Sequence, residues 1–351
     1  MPIIAHSDLP SYSRLEKEGE IVLSKDRASS QTIRELHIGL LNMMPDAALE
    51  ATERQFFRLI GNSNQIAQFF VHPFTLDSIN RSNEAKQHIK KFYKTFDEIK
   101  GHGLDALIIT GAHIEDPDLS KAPFLKDLGE VIDWSYNNVT STLCSCLTSH
   151  AVMELKYQQK RVPLKSKCWG VFPHNVMDRS HPLVRGVNTI FDVPHSRFNE
   201  VNRSQFEKSN LKILVDSKFG PHLVVSEDGL RTVLFQGHPE YDTISLLKEY
   251  KRDLNSYLLG KKEQKPPYPD NYLSLQAEAI LDEFNEALDL GKMTIDDFPE
   301  ALLSKDINNT WHDTTIAIIN NWIGCVYQVT NKDIKKPFMD KINPNDPLNL
   351  Y

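Results

Sequence analysis

Thr140-Ser141-Thr142-Leu143-Cys144-Ser145-Cys146-Leu147-Thr148-Ser149-His150 decides how this chain is read. The stretch opens on β-favouring residues, passes two cysteines and runs into Ala151-Val152-Met153-Glu154-Leu155, which has helical character. A strand that turns sharply into a helix sets its turn residue at the C-terminal edge of a sheet, beneath a helix N-terminus. Free backbone N–H groups and the helix dipole stabilise negative charge there. A cysteine at such a turn is biased toward thiolate, and the same N–H groups can hold an oxyanion. Cys146 is therefore the candidate nucleophile; the competing reading is a buried, inert thiol.

A second stretch, Val233-Leu234-Phe235-Gln236-Gly237-His238-Pro239-Glu240-Tyr241-Asp242, is an apolar strand closed by Gly-His-Pro-Glu. Proline halts the strand just after His238 and leaves the imidazole at a strand end. Glu240, two residues on, can reach back to orient it. Cys146, His238 and Glu240 at the strand ends of one sheet make a candidate triad in the order Cys-His-Glu. The plainer readings are a hydrogen-bonded strand-end histidine and a glutamate that caps the next helix.

Working outward, residues 36–43 form a short apolar run expected to be the first buried strand. Pro45-Asp46 opens a helix whose Leu49, Phe56, Phe57 and Ile60 share one face at a 3.6 period, and Gly61-Asn62 closes it. Residues 65–71 read as strand two, 84–96 as a basic helix and 104–110 as strand three, ending in Thr110-Gly111-Ala112. A helix over 124–136 leads to the Cys146 strand. Strands alternating with helices at this spacing predict an α/β fold: a doubly wound, mostly parallel sheet with helices on both faces. Ligands then sit at the C-terminal strand ends, where the loops at 43–45, 111–115, Cys146 and His238 would meet.

From residue 165 the pattern turns β-rich, with short strands at 211–215 and 223–225 and a Glu227-Asp228-Gly229 hairpin turn into 232–236. Helices are expected at 244–259 and 275–290, and Ile316, Ile319, Ile323 and Val326 mark a C-terminal one. The expected organisation is an N-terminal arm (1–35), a catalytic α/β domain (36–260), and a C-terminal linker and helical extension (261–351) packed on it.

At 351 residues the chain is long enough for one large α/β domain, and its net charge of −7 gives no reason to expect nucleic acid as a partner. No apolar run is long enough to span a bilayer, and no signal-peptide pattern opens the chain. Cys144, Cys146, Cys168 and Cys325 show no zinc-ligand spacing and no Cys-x-x-Cys pair, which suits a reducing cytoplasm. Cys144, Cys168 and Cys325 read as structural, and His150 and His195 as supporting or core residues.

Leu41-Asn42-Met43-Met44-Pro45, Thr110-Gly111-Ala112, Thr140-Ser141-Thr142-Leu143 with Cys146, Pro194-His195-Ser196-Arg197 and Gly237-His238-Pro239-Glu240-Tyr241-Asp242 together resemble the homoserine O-succinyltransferase family. Asn321-Trp322 and Val326-Tyr327-Gln328 extend the resemblance. It implies a fold like class I glutamine amidotransferases. It also implies acyl transfer from acyl-CoA, as substrate and with no cofactor, to the hydroxyl of L-homoserine in methionine synthesis. By position, Cys146 resembles the acylated nucleophile, His238 the base and Glu240 its partner. Lys167, Ser196, Arg197 and Arg252 resemble substrate-binding positions; a homodimer is expected on the same ground.

Glu115 falls where the family sets the acyl donor. Members with glycine there resemble succinyl users and those with glutamate acetyl users, so acetyl-CoA is favoured over succinyl-CoA. A carboxylate would repel the free carboxylate of a succinyl group. The chain departs from the family pattern at residues 46–53, at Leu147 where tryptophan is common, and in an apparent insertion over 280–305. L-Serine, one methylene shorter, stays open as acceptor, because one methylene is worth only about 1–3 kcal/mol of discrimination. A serine O-acetyltransferase, a glutamine-hydrolysing amidotransferase and a non-catalytic binding protein are the alternatives. Glycines flanking the elbow cysteine would favour the second, and Cys144 and Thr148 stand there instead.

Overall fold

The computed structural model describes residues 3–20, 22–29, 33–64, 66–114, 116 and 118–350. Among them, eleven strands join one sheet: β1 (Ile3–Ala5), β2 (Val22–Ser24), β3 (Glu35–Met43), β4 (Gln68–Phe74), β5 (Ala106–Ala112), β6 (Ser141–Ser145), β7 (Val162–Val176), β8 (Ile190–Glu200), β9 (Lys212–Asp216), β10 (Leu223–Val225) and β11 (Thr232–Phe235). Their order is β2-β1-β4-β3-β5-β6-β11-β10-β9-β7-β8. Pairings from β2 as far as β11 are parallel, and those beyond it antiparallel. The fold is the mostly parallel α/β sheet that the alternating pattern predicts.

The helices are α1 (Pro10–Lys17), α2 (Lys25–Ser29), α3 (Asp46–Ser63), α4 (Asn83–Phe92), α5 (Phe96–His102), α6 (Leu125–Asn138), α7 (Leu147–Tyr157), α8 (Arg203–Lys208), α9 (Ser245–Leu258), α10 (Leu275–Asp289), α11 (Glu300–Leu303) and α12 (His312–Val329). The period-2 alternation of the strands divides the core. Leu36, Ile38 and Leu40 of β3 join Phe56, Phe57 and Ile60 of α3 and Trp322 and Ile323 of α12 on one face. Leu41 and Met43 turn to the other face, under Ile99 of α5, Leu128 of α6 and Val152 of α7. Helices therefore cover both sides.

Three expectations need correction. The described residues of the 1–35 segment do not lie as an arm over the domain: β1 and β2 lengthen the sheet edge, and Tyr12 and Leu15 of α1 enter the core. The helix expected over 84–96 is two helices. Thr95 accepts from the Glu98 N–H while the Glu98 carboxylate accepts from the Thr95 N–H, a capping box that starts α5 afresh. Strand two lies three residues later than expected, at β4, and Gln65 falls outside the described residues. The 280–305 stretch completes α10 and α11. It builds a third core in which Leu281, Phe284, Phe298 and Leu303 pack with Tyr250 of α9 and Trp169 of β7. Among the described residues no helix is long and apolar enough to cross a membrane.

Candidate active site

Cys146 sits between β6 and α7 with φ 50° and ψ −114°, a conformation a non-glycine residue adopts only under constraint. Three bonds to its backbone hold it: the Cys146 N–H donates to the Phe235 carbonyl on neighbouring β11 (2.7 Å), and the Ser149 N–H (2.9 Å) and Oγ (2.6 Å) donate to the Cys146 carbonyl. This strained strand-to-helix turn lifts the thiol out of the sheet and sets it at the N-terminus of α7. A Cβ on Gly111 would lie 3.5 Å from the Cys146 Cβ and 3.9 Å from the Met44 sulfur. The Thr-Gly-Ala and Met-Met-Pro loops thus close around Cys146.

His238 is buried beside it. Its Nδ1–H donates to Glu240 Oε1 (2.8 Å), leaving Nε2 for the hydrogen bond to Cys146. Burial alone would lower the imidazole's pKa, but the charges and hydrogen bonds of Cys146 and Glu240 hold it well above the ordinary histidine range. Ser145 Oγ donates to the second Glu240 oxygen (3.3 Å). The segment is pinned by the His238 N–H to the Pro194 carbonyl (2.9 Å) and the Gly237 N–H to His222 Nδ1 (3.2 Å). A Cβ on Gly237 would stand 2.5 Å from Val193 Cγ1 and 3.0 Å from the Pro194 carbonyl, so only glycine allows this approach to β8. The Pro-His-Ser-Arg and Gly-His-Pro-Glu motifs are therefore two sides of one contact.

A second polar cluster backs the imidazole. Tyr241 stacks on His238, with centroids 4.2 Å apart, and donates its hydroxyl to Glu249 of α9. Glu249 also accepts from Ser196 Oγ (2.6 Å), Trp169 Nε1 (2.9 Å) and Lys167 Nζ (3.4 Å). Burial would raise its pKa, but Lys167 and these donors hold it below the ordinary glutamate range. Lys167 lies over the Trp169 ring and 3.7 Å from Asp253; burial lowers it against the pull of both carboxylates.

The other expected site residues divide. Lys167 and Ser196 meet at Glu249. Arg252 is exposed, pairs with Asp253 and lies close enough to Lys167 for their charges to interact. Arg197 is buried, and its guanidinium is spent on His195 Nδ1, the Asn199 and Phe219 carbonyls and Glu200. That arrangement braces β8 and leaves Arg197 as a structural contact. Glu115 lies outside the described residues. Cys144 is wholly buried, which pushes its thiol pKa up, and Cys325 is pushed up to about 11. Buried His150 bonds Gln236 and buried His195 bonds His174.

The sequence reading missed Tyr241, Glu249 and Arg161. Glu249 and Asp253, four residues apart, share a face of α9, but nothing in the sequence pairs that face with Lys167 or brings Arg161 to the site. Half-buried Arg161 donates to the Asp116 carbonyl (3.2 Å), and Cys146 is among the groups whose charge it feels. A cavity of about 680 Å³ lies at the other end of the strands, lined by Thr142, Arg231 and Thr232, and takes no part in this site.

A family model described as homoserine O-succinyltransferase matches residues 2–332. Homoserine O-succinyltransferases of Nitrosococcus oceani and Allochromatium vinosum are each 58% identical to this chain, over 354 and 355 residues, covering all of it and 99% of each relative. That of Thiobacillus denitrificans is 56% identical over 351 residues, with both chains fully covered. Among solved structures the chain is similar to a glutamine amidotransferase from Thermotoga maritima, with a TM-score of 0.45, 11% identity, and 84% of this chain and 98% of that one covered.

Proposed function

The chain belongs to the homoserine O-succinyltransferase family and is an acyltransferase; from that premise we propose that it moves a succinyl group from succinyl-CoA to the hydroxyl of L-homoserine. The observation that carries the reading is the Cys146–His238–Glu240 chain at a strained elbow under a helix N-terminus. Cys146 sulfur attacks the thioester carbonyl, and the Leu147 N–H at the start of α7 faces the developing oxyanion. The C–S bond to CoA breaks, and the CoA sulfur leaves with the proton that His238 carried. The acceptor hydroxyl then gives its proton to His238 Nε2 as its oxygen attacks the acyl-enzyme, and Cys146 leaves. Glu240 fixes the tautomer and stabilises the imidazolium throughout.

The acetyl preference drawn from Glu115 gives way here. It rested on one residue, whereas relatives 56–58% identical along their whole length carry the succinyl name. Arg161 supplies the physical complement: a guanidinium near Cys146 suits the distal carboxylate of a succinyl group and does nothing for acetyl. For the acceptor, exposed Arg252, whose charge reaches Lys167 and whose pairing is with Asp253 alone among the described contacts, is better placed to meet an α-carboxylate than buried Arg197. The test is CoA release from succinyl-CoA and acetyl-CoA, each with L-homoserine and with L-serine. Succinyl-CoA with homoserine is expected to dominate. Preferred turnover of acetyl-CoA would return the donor reading to Glu115, and preferred turnover of serine would replace the acceptor.

A further inference from the structure

Far along the sheet from the elbow, toward the β1–β4 edge, three histidines converge. His37 lies near the start of β3, His72 on β4 and His102 at the end of α5. One ring nitrogen from each lies within 4.8 Å of the other two. The His37 and His72 rings are parallel to within 1°, with His37 Nδ1 3.0 Å from His72 Nε2. The His102 ring centroid is 4.8 Å from that of His37 and 4.9 Å from that of His72. We propose that His37, His72 and His102 form a binding site for a borderline divalent transition-metal ion, of which Zn2+ and Co2+ are the test cases.

The chemistry of the donors fits such an ion. Imidazole binds such an ion as the neutral base, through one ring lone pair from each histidine. Tautomers are set as a ligand set requires. The Gly103 carbonyl can only accept, so the 2.9 Å contact makes His102 Nδ1 the donor and leaves the lone pair on Nε2. On the far side of His37, Nε2 stands 3.8 Å from the Glu35 carboxylate, which can take an N–H when Nδ1 turns to a metal. A carbonyl or carboxylate behind each imidazole is the usual outer support of a histidine–metal bond. His72 Nδ1, by contrast, is buried with no hydrogen-bond partner. Hydrogen bonding among the three rings therefore does not account for all of their polar atoms.

Geometry sets the adjustment needed. Three nitrogens at about 2.0–2.1 Å from a tetrahedral ion sit roughly 3.3 Å from one another. The His37–His72 pair is already near that spacing, and half-buried His102 at a helix end is the ring free to close in. Lys94 opposes binding, since its charge reaches His37 and His72. Neutral ligands, two of them only half-buried, and a nearby ammonium favour an exchangeable ion over a permanently held one.

The test is titration of chelator-stripped full-length protein with Co2+, read by visible d–d absorption, in a Cys146→Ala background so that the triad thiol contributes nothing. One equivalent should bind with the intense bands of a low-coordinate nitrogen site, and Zn2+ should displace it. His102→Gln should weaken binding by about tenfold or more while leaving the metal-free melting temperature in place. Absence of the bands in the parent, or equal affinity in His102→Gln, would overturn the proposal. Should that variant fail to fold, the imidazole 15N signals of the parent decide. Shifts of three histidine rings on adding Zn2+ support the site, and an unchanged spectrum refutes it.

Discussion

At the scale of the residue, the site is a contest between burial and charge. His238 is enclosed, yet its neighbours Cys146 and Glu240 outweigh the desolvation that lowers other enclosed histidines such as His150, held at about 3. Glu240→Gln keeps the shape and removes the charge, so kcat should fall by about 10²–10⁴-fold with the fold intact, as measured by steady-state CoA release and circular dichroism. Arg161→Met should raise KM for succinyl-CoA by about tenfold or more and leave KM for acetyl-CoA nearly unchanged, which donor-dependent kinetics will show. Cys146, His238 and Glu240 were legible in the sequence because each sits at a break between local patterns: strand into helix, strand into proline. Glu249 and Arg161 were not, because a mid-helix glutamate and a loop arginine look like any solvated charge until the chain returns them to the site.

At the scale of the element, Gly111 and Gly237 allow the close packing of the loops at Cys146 and His238. Gly237→Ala would drive its Cβ into Val193 and the Pro194 carbonyl. It should cost about 1–3 kcal/mol in a denaturant melt and should lower kcat more than it raises KM, since His238 is the next residue. The strands β3, β5 and β11 could be read from sequence because their runs are apolar and close on glycine or proline, and β6 because a β-favouring run gives way to a helical one at Cys146. The edge strands β1 and β2 could not: three residues each carry no periodicity, and they exist only because β4 offers an unpaired edge. The break between α4 and α5 was hidden for the opposite reason. Apolar spacing continues across Tyr93-Lys94-Thr95, and only the Thr95–Glu98 capping box marks the restart.

At the scale of the molecule, histidine burial links stability to acidity. Apart from the β1–β4–β3 cluster, burial lowers the pKa of His150, His174, His181, His195 and His222 in the folded state. His88 and His238 are raised and act in the opposite sense. A lowered group binds a proton more readily when unfolded, so its contribution is complete above the unfolded value of about 6.5 and is lost as pH falls toward the folded one. Five groups against two give a net loss. Urea midpoints should drop steadily between pH 7 and pH 5 in metal-free buffer; a flat or rising profile would show these rings to be accessible to protons in the native state.

The most direct test of the account is rapid mixing of the enzyme with succinyl-CoA in the absence of any acceptor. The triad predicts a burst of free CoA equal to the enzyme concentration, together with one succinyl group on the peptide that carries Cys146. Cys146→Ala should show neither. CoA release that begins only when homoserine is added, with no acylated Cys146, would mean direct transfer between the bound substrates and would contradict the nucleophile assigned here.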